Sequence, residues 1–134
     1  MAGDPGAESD IRRLLAQYCQ LLDDGRFDDW IDLFDPGIEF VVMGMHQHGH
    51  DELRGFIEPS QQADARGKHM ISEPWIELGP DGDTATATVD FAWVSKAGAV
   101  GQSGRYHDHL VRHPDRWRFR RREIVFTGEQ PEDA

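Results

Sequence analysis

The hydrophobic pattern of the 134-residue chain turns from mainly helical to strand-like at Lys68. Before that point apolar residues recur every three to four positions: Ile11, Leu14, Leu15, Tyr18, Cys19 and Leu22, then Phe27, Trp30, Ile31 and Phe34, then Leu53, Phe56 and Ile57. Each set covers one face of a helix. After it, β-branched, aromatic and small residues fill short runs separated by turn residues, the pattern of strands. Ser9 suits an N-cap and Asp10 the positive first turn, while Gly25 is a natural C-terminal stop. Asp35-Pro36-Gly37 is expected to end the second helix, Ile38 to Met43 to form a short strand punctuated by Gly44, and His50 or Asp51 to start the third helix. Four strands follow: His69 to Leu78, interrupted at Pro74 by a bulge or an edge, then Thr84 to Ser95, Gly104 to His113 and Trp117 to Phe126. The turns are Pro80 to Asp83, Lys96 to Ala99 and His113 to Arg116. Helices first and an antiparallel meander second make an α+β domain, a curved sheet against helices with a pocket between them.

Composition narrows the partners. Lys plus Arg number 14 against 25 Asp plus Glu, a net charge of −11, which argues against nucleic acid and against an anionic membrane surface. No apolar run approaches the roughly 20 residues that span a bilayer, and no secretory leader is evident, so a soluble cytoplasmic chain is expected. The length suits one domain, read as 9–127, between an acidic, Gly/Pro-rich start (1–8) and an acidic tail (128–134), both expected to fray. Cys19 is the single cysteine, so no internal disulfide forms; on the apolar helix face it reads as a buried, inert thiol.

Asp23 and His69 are the candidate chemistry. Asp23 lies at the end of the first helix, about 100° round from Leu22, and borders the buried face. The negative helix terminus and an apolar surrounding both disfavour its carboxylate, so it is placed to exchange protons. His69 opens a strand, and an imidazole titrates near neutral pH. Tyr18 shares the apolar face: it is either a core tyrosine or a phenol donating to a substrate oxygen. On the long third strand, Tyr106 and Asp108 share one face with Leu110, and Arg105, His107, His109 and Val111 share the other. Trp30, Phe40, Trp75, Phe91 and Trp93 are core residues or pocket walls. His46, His48 and His50 alternate, but the stretch reads as a turn before a helix, and no metal site is expected there. Arg116, Arg118, Arg120, Arg121 and Arg122, interleaved with Trp117 and Phe119, read as a strand with one wet face.

The motifs Tyr18-C-Q-L-L-Asp23-D-G-R-F-D-D-W-I-D-L-F, G-H-D-E-L-R-G-F, K-His69-M-I-S, G-R-Tyr106-H-Asp108-H-L-V-R and W-R-F-R-R-R-E-I, in that order, resemble the SnoaL-like family of the nuclear-transport-factor-2-like superfamily across residues 9–127. The resemblance implies a cone of three helices and a curved sheet around a deep pocket. Tyr18, Asp23 and His69 match the tyrosine, aspartate and strand histidine of bile-acid 7α-dehydratase in type and order. Asp23 and His69 also match scytalone dehydratase, whose tyrosine next to the aspartate is Leu22 here. Its polar pocket residues favour the side of Tyr106 and Asp108 as inward; the His107 side is the alternative, since a one-residue change of register exchanges the two. Ketosteroid isomerase shares Tyr18, but its general base falls at Val42; the Arg-x-Asp of limonene epoxide hydrolase is missing from Val89 to Trp93. Two functions follow. One is a cofactor-free dehydratase, isomerase or cyclase acting on a hydrophobic cyclic or polyketide-like carbonyl compound. Asp23, His69 and Tyr18 would be catalytic, and Tyr106, Asp108, Trp30, Phe40, Val42, Phe91 and Trp93 would line the substrate pocket. The other is a non-catalytic subunit or ligand-binding module, such as a dioxygenase β-subunit-like scaffold. The resemblance also implies a homodimer or homotrimer.

Overall fold

The structure, a computed structural model, describes residues 5–132. Its helices are α1 (Pro5–Asp23), α2 (Phe27–Ile31) and α3 (Gly49–Ile57). Helix α1 starts four residues ahead of Ser9, so Ser9 lies inside it rather than capping it; residues 1–4 and 133–134 lie outside the described residues. Gly25, at φ 71°, ends α1. The Gly25 N–H donates to the Leu22 carbonyl (3.1 Å) and the Arg26 N–H to the Leu21 carbonyl (2.9 Å). This paired closure needs a left-handed residue, which glycine supplies without steric cost. It fixes the direction in which Asp23 leaves the helix.

Seven strands form one curved sheet: β1 (Phe34–Val42), β2 (Met45–His48), β3 (Lys68–Ile71), β4 (Trp75–Leu78), β5 (Thr84–Val94), β6 (Val100–Arg112) and β7 (Trp117–Phe126). The order is β2-β1-β7-β6-β5-β3, with β4 also on β5. The expected interruption at Pro74 divides one run into β3 and β4, both antiparallel to β5. Two readings change. Asp35-Pro36-Gly37 does not end a helix but lies in an irregular stretch of β1, between the Phe34–Phe119 and Glu39–Arg121 pairs. Met45 to His48 is not a loop but a strand paired with β1. Met43 (φ 52°) and Gly44 (φ 74°) form the two-residue turn between them, and positive φ at both positions suits the twist of a hairpin.

The sheet's inner face carries Ala85, Ala87, Val89 and Phe91 from β5, and Tyr106, Asp108 and Leu110 from β6. Asp108 and Arg122 face each other across β6 and β7. Tyr106 and Asp108 are thus inward, while His107 and His109 point the other way. Ile11, Leu14, Leu15, Tyr18 and Leu22 of α1 pack onto this face, each at most 1% exposed. Burial of that continuous apolar surface drives the assembly. Among the described residues no helix is long and apolar enough to cross a membrane.

Candidate functional site

Helix α1 and edge strand β3 bring Asp23 and His69 into contact. The Asp23 carboxylate accepts the His69 backbone N–H (3.0 Å to Oδ2, 3.2 Å to Oδ1) and also meets the ring Nδ1 at 2.6 Å from Oδ1. Both side chains are largely buried, 5% and 11% exposed. A carboxylate can only accept here, so Nδ1 carries the proton and donates it. In the neutral ring the other nitrogen, Nε2, keeps its lone pair. Nε2 has no hydrogen-bond partner among the described residues. His69 lines a cleft of about 420 Å³ between α1 and β3, together with Ala16, Cys19, Gln20, Asp23 and Ile71. The geometry therefore supplies an oriented imidazole with an available basic nitrogen, next to a space large enough for a small molecule.

Behind His69 the interior is filled. The Tyr18 ring stands edge-on to the His69 ring with centroids 6.4 Å apart. It packs on Trp30, Phe34, Tyr106 and Phe119 at 5.5–6.1 Å. Tyr18, Trp30, Phe40 and Tyr106 are at most 1% exposed, Val42 is 5% and Phe91 7%. The structure thus places these residues in packed core, away from the cleft that holds Asp23 and His69. Trp93, half-buried on β5, pairs with His69 across the strands. Tyr18 touches the His69 ring from the core side, the position of a residue that supports the imidazole.

The space expected to be pocket holds an ion pair. Arg122 Nε and Nη2 donate to Asp108 Oδ1 and Oδ2, each at 2.7 Å. The guanidinium lies 3.9–4.4 Å from the ring centroids of Tyr106, Tyr18 and Phe119. Arg122 is not on a wet face but 1% exposed. The cause is a register shift in which Arg121 pairs with His109 but Phe119 with Leu110. Arg120 is the extra residue. The bulge reverses the alternation, so Phe119 and Arg122 both point inward. Of the other arginines, Arg118 is paired with Asp115 and Asp32, Arg120 with Asp35 and Arg121 with Glu39, while Arg116 donates to the Gln17 side chain.

Burial sets the ionisation of the core. It pushes the Tyr18 phenol up to about 12, against the lowering influence of Arg122, and likewise pushes the Cys19 thiol up to about 11. Both groups stay protonated at neutral pH, and Cys19 is inert as a nucleophile. A raised folded-state value means that the stabilising protonated form is fully kept below pH 10 for the tyrosine and lost as pH rises towards about 12. Denaturant midpoints are expected to change little between about pH 7 and pH 9, the thiol's ordinary value, and to fall steeply between pH 10 and 12. A Tyr18→Phe variant should lose part of that alkaline fall.

The profile of the SnoaL-like domain family matches residues 6–123. The chain belongs to this family. No curated protein matches the SnoaL-like chain by sequence. Among solved structures it is similar to Rv3472 of Mycobacterium tuberculosis, a protein of unknown function (25% identity, TM-score 0.80, 87% of this chain and 69% of that one). It is also similar to a candidate scytalone dehydratase of Novosphingobium aromaticivorans (21%, TM-score 0.79, 91% and 85%). A third is the β subunit of a candidate aromatic-ring-hydroxylating dioxygenase from the same bacterium (20%, TM-score 0.76, 94% and 92%). These likenesses agree with the fold that the SnoaL-like domain shows.

Proposed function

We propose that this SnoaL-like domain catalyses proton transfer on a small cyclic or polyketide-like carbonyl compound, with dehydration as the reaction its site suits best. The observation that carries the reading is the Asp23–His69 pair, in which the carboxylate holds Nδ1 of a histidine that lines the cleft. In a dehydration, Nε2 removes the proton next to the carbonyl and the electron pair forms the carbon–carbon double bond. The β-hydroxyl leaves with its bonding electrons and takes the same proton from Nε2–H, departing as water. Asp23 stabilises the imidazolium that exists between the two steps. Tyr18 positions the ring.

The test is a panel of β-hydroxy cyclic ketones and short polyketide mimics, followed by the rise of enone absorbance. Turnover is expected in the wild-type protein and loss of at least a hundredfold in His69→Ala with the circular dichroism spectrum unchanged. Equal rates in the two proteins would reject the role of His69.

A second reading is a non-catalytic subunit of a larger assembly. The packed interior and the likeness to a dioxygenase β subunit support it. It predicts no turnover with any panel member, and co-purification of the natively expressed chain with a larger oxygenase subunit.

A further inference from the structure

The outer face of the β1–β2 hairpin gathers a second set of ligating side chains. Glu39 on β1 is directly opposite His48 on β2, and His46, two residues before His48, faces the same side. One ligand atom from each of Glu39, His46 and His48 lies within 4.8 Å of the other two, and Glu39 Oε2 is 2.9 Å from His46 Nδ1. A tetrahedral zinc ion with bonds of about 2.0–2.1 Å separates its ligand atoms by about 3.4 Å, so small side-chain rotations close this triangle on a metal.

The atoms around the triangle are arranged as they are around metal ligands. Arg121 Nε donates to the other carboxylate oxygen, Glu39 Oε1, at 2.9 Å, which leaves Oε2 turned to the histidines. The far nitrogen of His46, Nε2, donates to the Glu132 carboxylate at 2.8 and 2.9 Å. In the metal-free protein Nδ1 likewise donates to Glu39 Oε2, so the ring is held between two carboxylates, and a metal would take the place of the Nδ1 proton. A carboxylate behind a ligating histidine fixes its tautomer and raises its basicity. The ring nitrogens of His48 have no hydrogen-bond partner among the described residues, although the ring lies 6.2 Å from that of His46. His50, the third histidine of the run, is not in the set: its Nε2 donates to the Phe34 carbonyl at 2.7 Å.

We propose that Glu39, His46 and His48 form a surface site for a borderline divalent metal ion, zinc foremost, with Glu132 as the outer carboxylate. Two imidazoles and one carboxylate select zinc, nickel or copper over magnesium and calcium, which require oxygen ligands. The open fourth position holds water. Occupied, the site pins the segment around Glu132 to the hairpin, on a face of the molecule separate from the cleft of Asp23 and His69.

The experiment is calorimetric titration of zinc chloride into the full, tag-free chain after treatment with chelator, repeated with magnesium chloride. One zinc per chain is expected and no magnesium. His48→Ala and Glu39→Gln should each weaken zinc binding at least tenfold, and His50→Ala should leave it unchanged. Circular dichroism of each variant guards against unfolding. Absence of zinc binding at millimolar concentration, or binding that is the same in His48→Ala and the parent, overturns the proposal. Loss of binding in His69→Ala with retention in His48→Ala also overturns it and moves the metal to the cleft.

Discussion

Arg122→Ala is expected to lower stability by about 3–5 kcal/mol, the loss seen when one partner of a buried ion pair is removed. The pair is fully desolvated, with Arg122 and Asp108 side chains 1% and 0% exposed. Removing the guanidinium leaves the Asp108 carboxylate charged in an apolar interior, without the two donors that now satisfy it. It also removes the flat group that fills the gap between Tyr18, Tyr106 and Phe119. A domain of this size has a total stability of about 5–15 kcal/mol, so the variant loses a large share of it or fails to fold at 37 °C. Replacing both partners together, as Arg122→Met with Asp108→Leu, removes the uncompensated charge and should recover most of the loss. Urea melts of the single and double variants measure the difference. Equal destabilisation in the two would show that packing, not charge, dominates the site.

Asp23→Asn is expected to lower turnover on a responsive substrate by about a hundred- to ten-thousandfold while leaving the fold intact. The carboxylate accepts two donors from His69, one from the backbone and one from the ring. An amide offers a single acceptor oxygen. If that oxygen stays with the backbone N–H, the NH2 group meets Nδ1 and forces the ring into the other tautomer, with its proton on the nitrogen that should act as base. If the oxygen serves both donors, the tautomer survives but the negative charge that stabilises the imidazolium is gone. Either outcome slows the proton transfer and leaves the apolar packing of α1 untouched. Initial rates with circular dichroism measure it; a loss of less than threefold would remove Asp23 from the mechanism.

The change of period at Lys68 was enough to read an α+β domain, because burial of one face leaves a 3.6-residue period in helices and a 2-residue period in strands. Gly25 was legible as a helix stop because its role is local. The contact of Asp23 with His69 was reachable only through the family resemblance, since the two are separated by 46 positions. Arg122 was misread because counting by twos through Phe119 puts it outside, and one extra residue at Arg120 reverses the count. The signal for it lay on the neighbouring strand: an inward Asp108 requires a buried cation opposite, and only β7 is rich in arginine. The β1–β2 hairpin was missed because β2 is four polar or exposed residues long, and its pairing shows only in the Met43-Gly44 turn. The filled interior was not legible at all, for the same aromatic residues line a cavity or fill it depending on packing.

The last strand in the chain order, β7, lies in the middle of the sheet, antiparallel to β6 and parallel to β1. During synthesis the β1–β2 hairpin therefore emerges long before the strand that will hold it. Until residues 117–126 leave the ribosome, β1 has one open edge and Phe34 and Phe40 have no partner in β7. Such a sequence-distant pairing is slow to form and exposes apolar surface while it waits. The domain is thus one whose cooperative closure awaits its final strand, and a translation pause just before Trp117 would prolong its most aggregation-prone state.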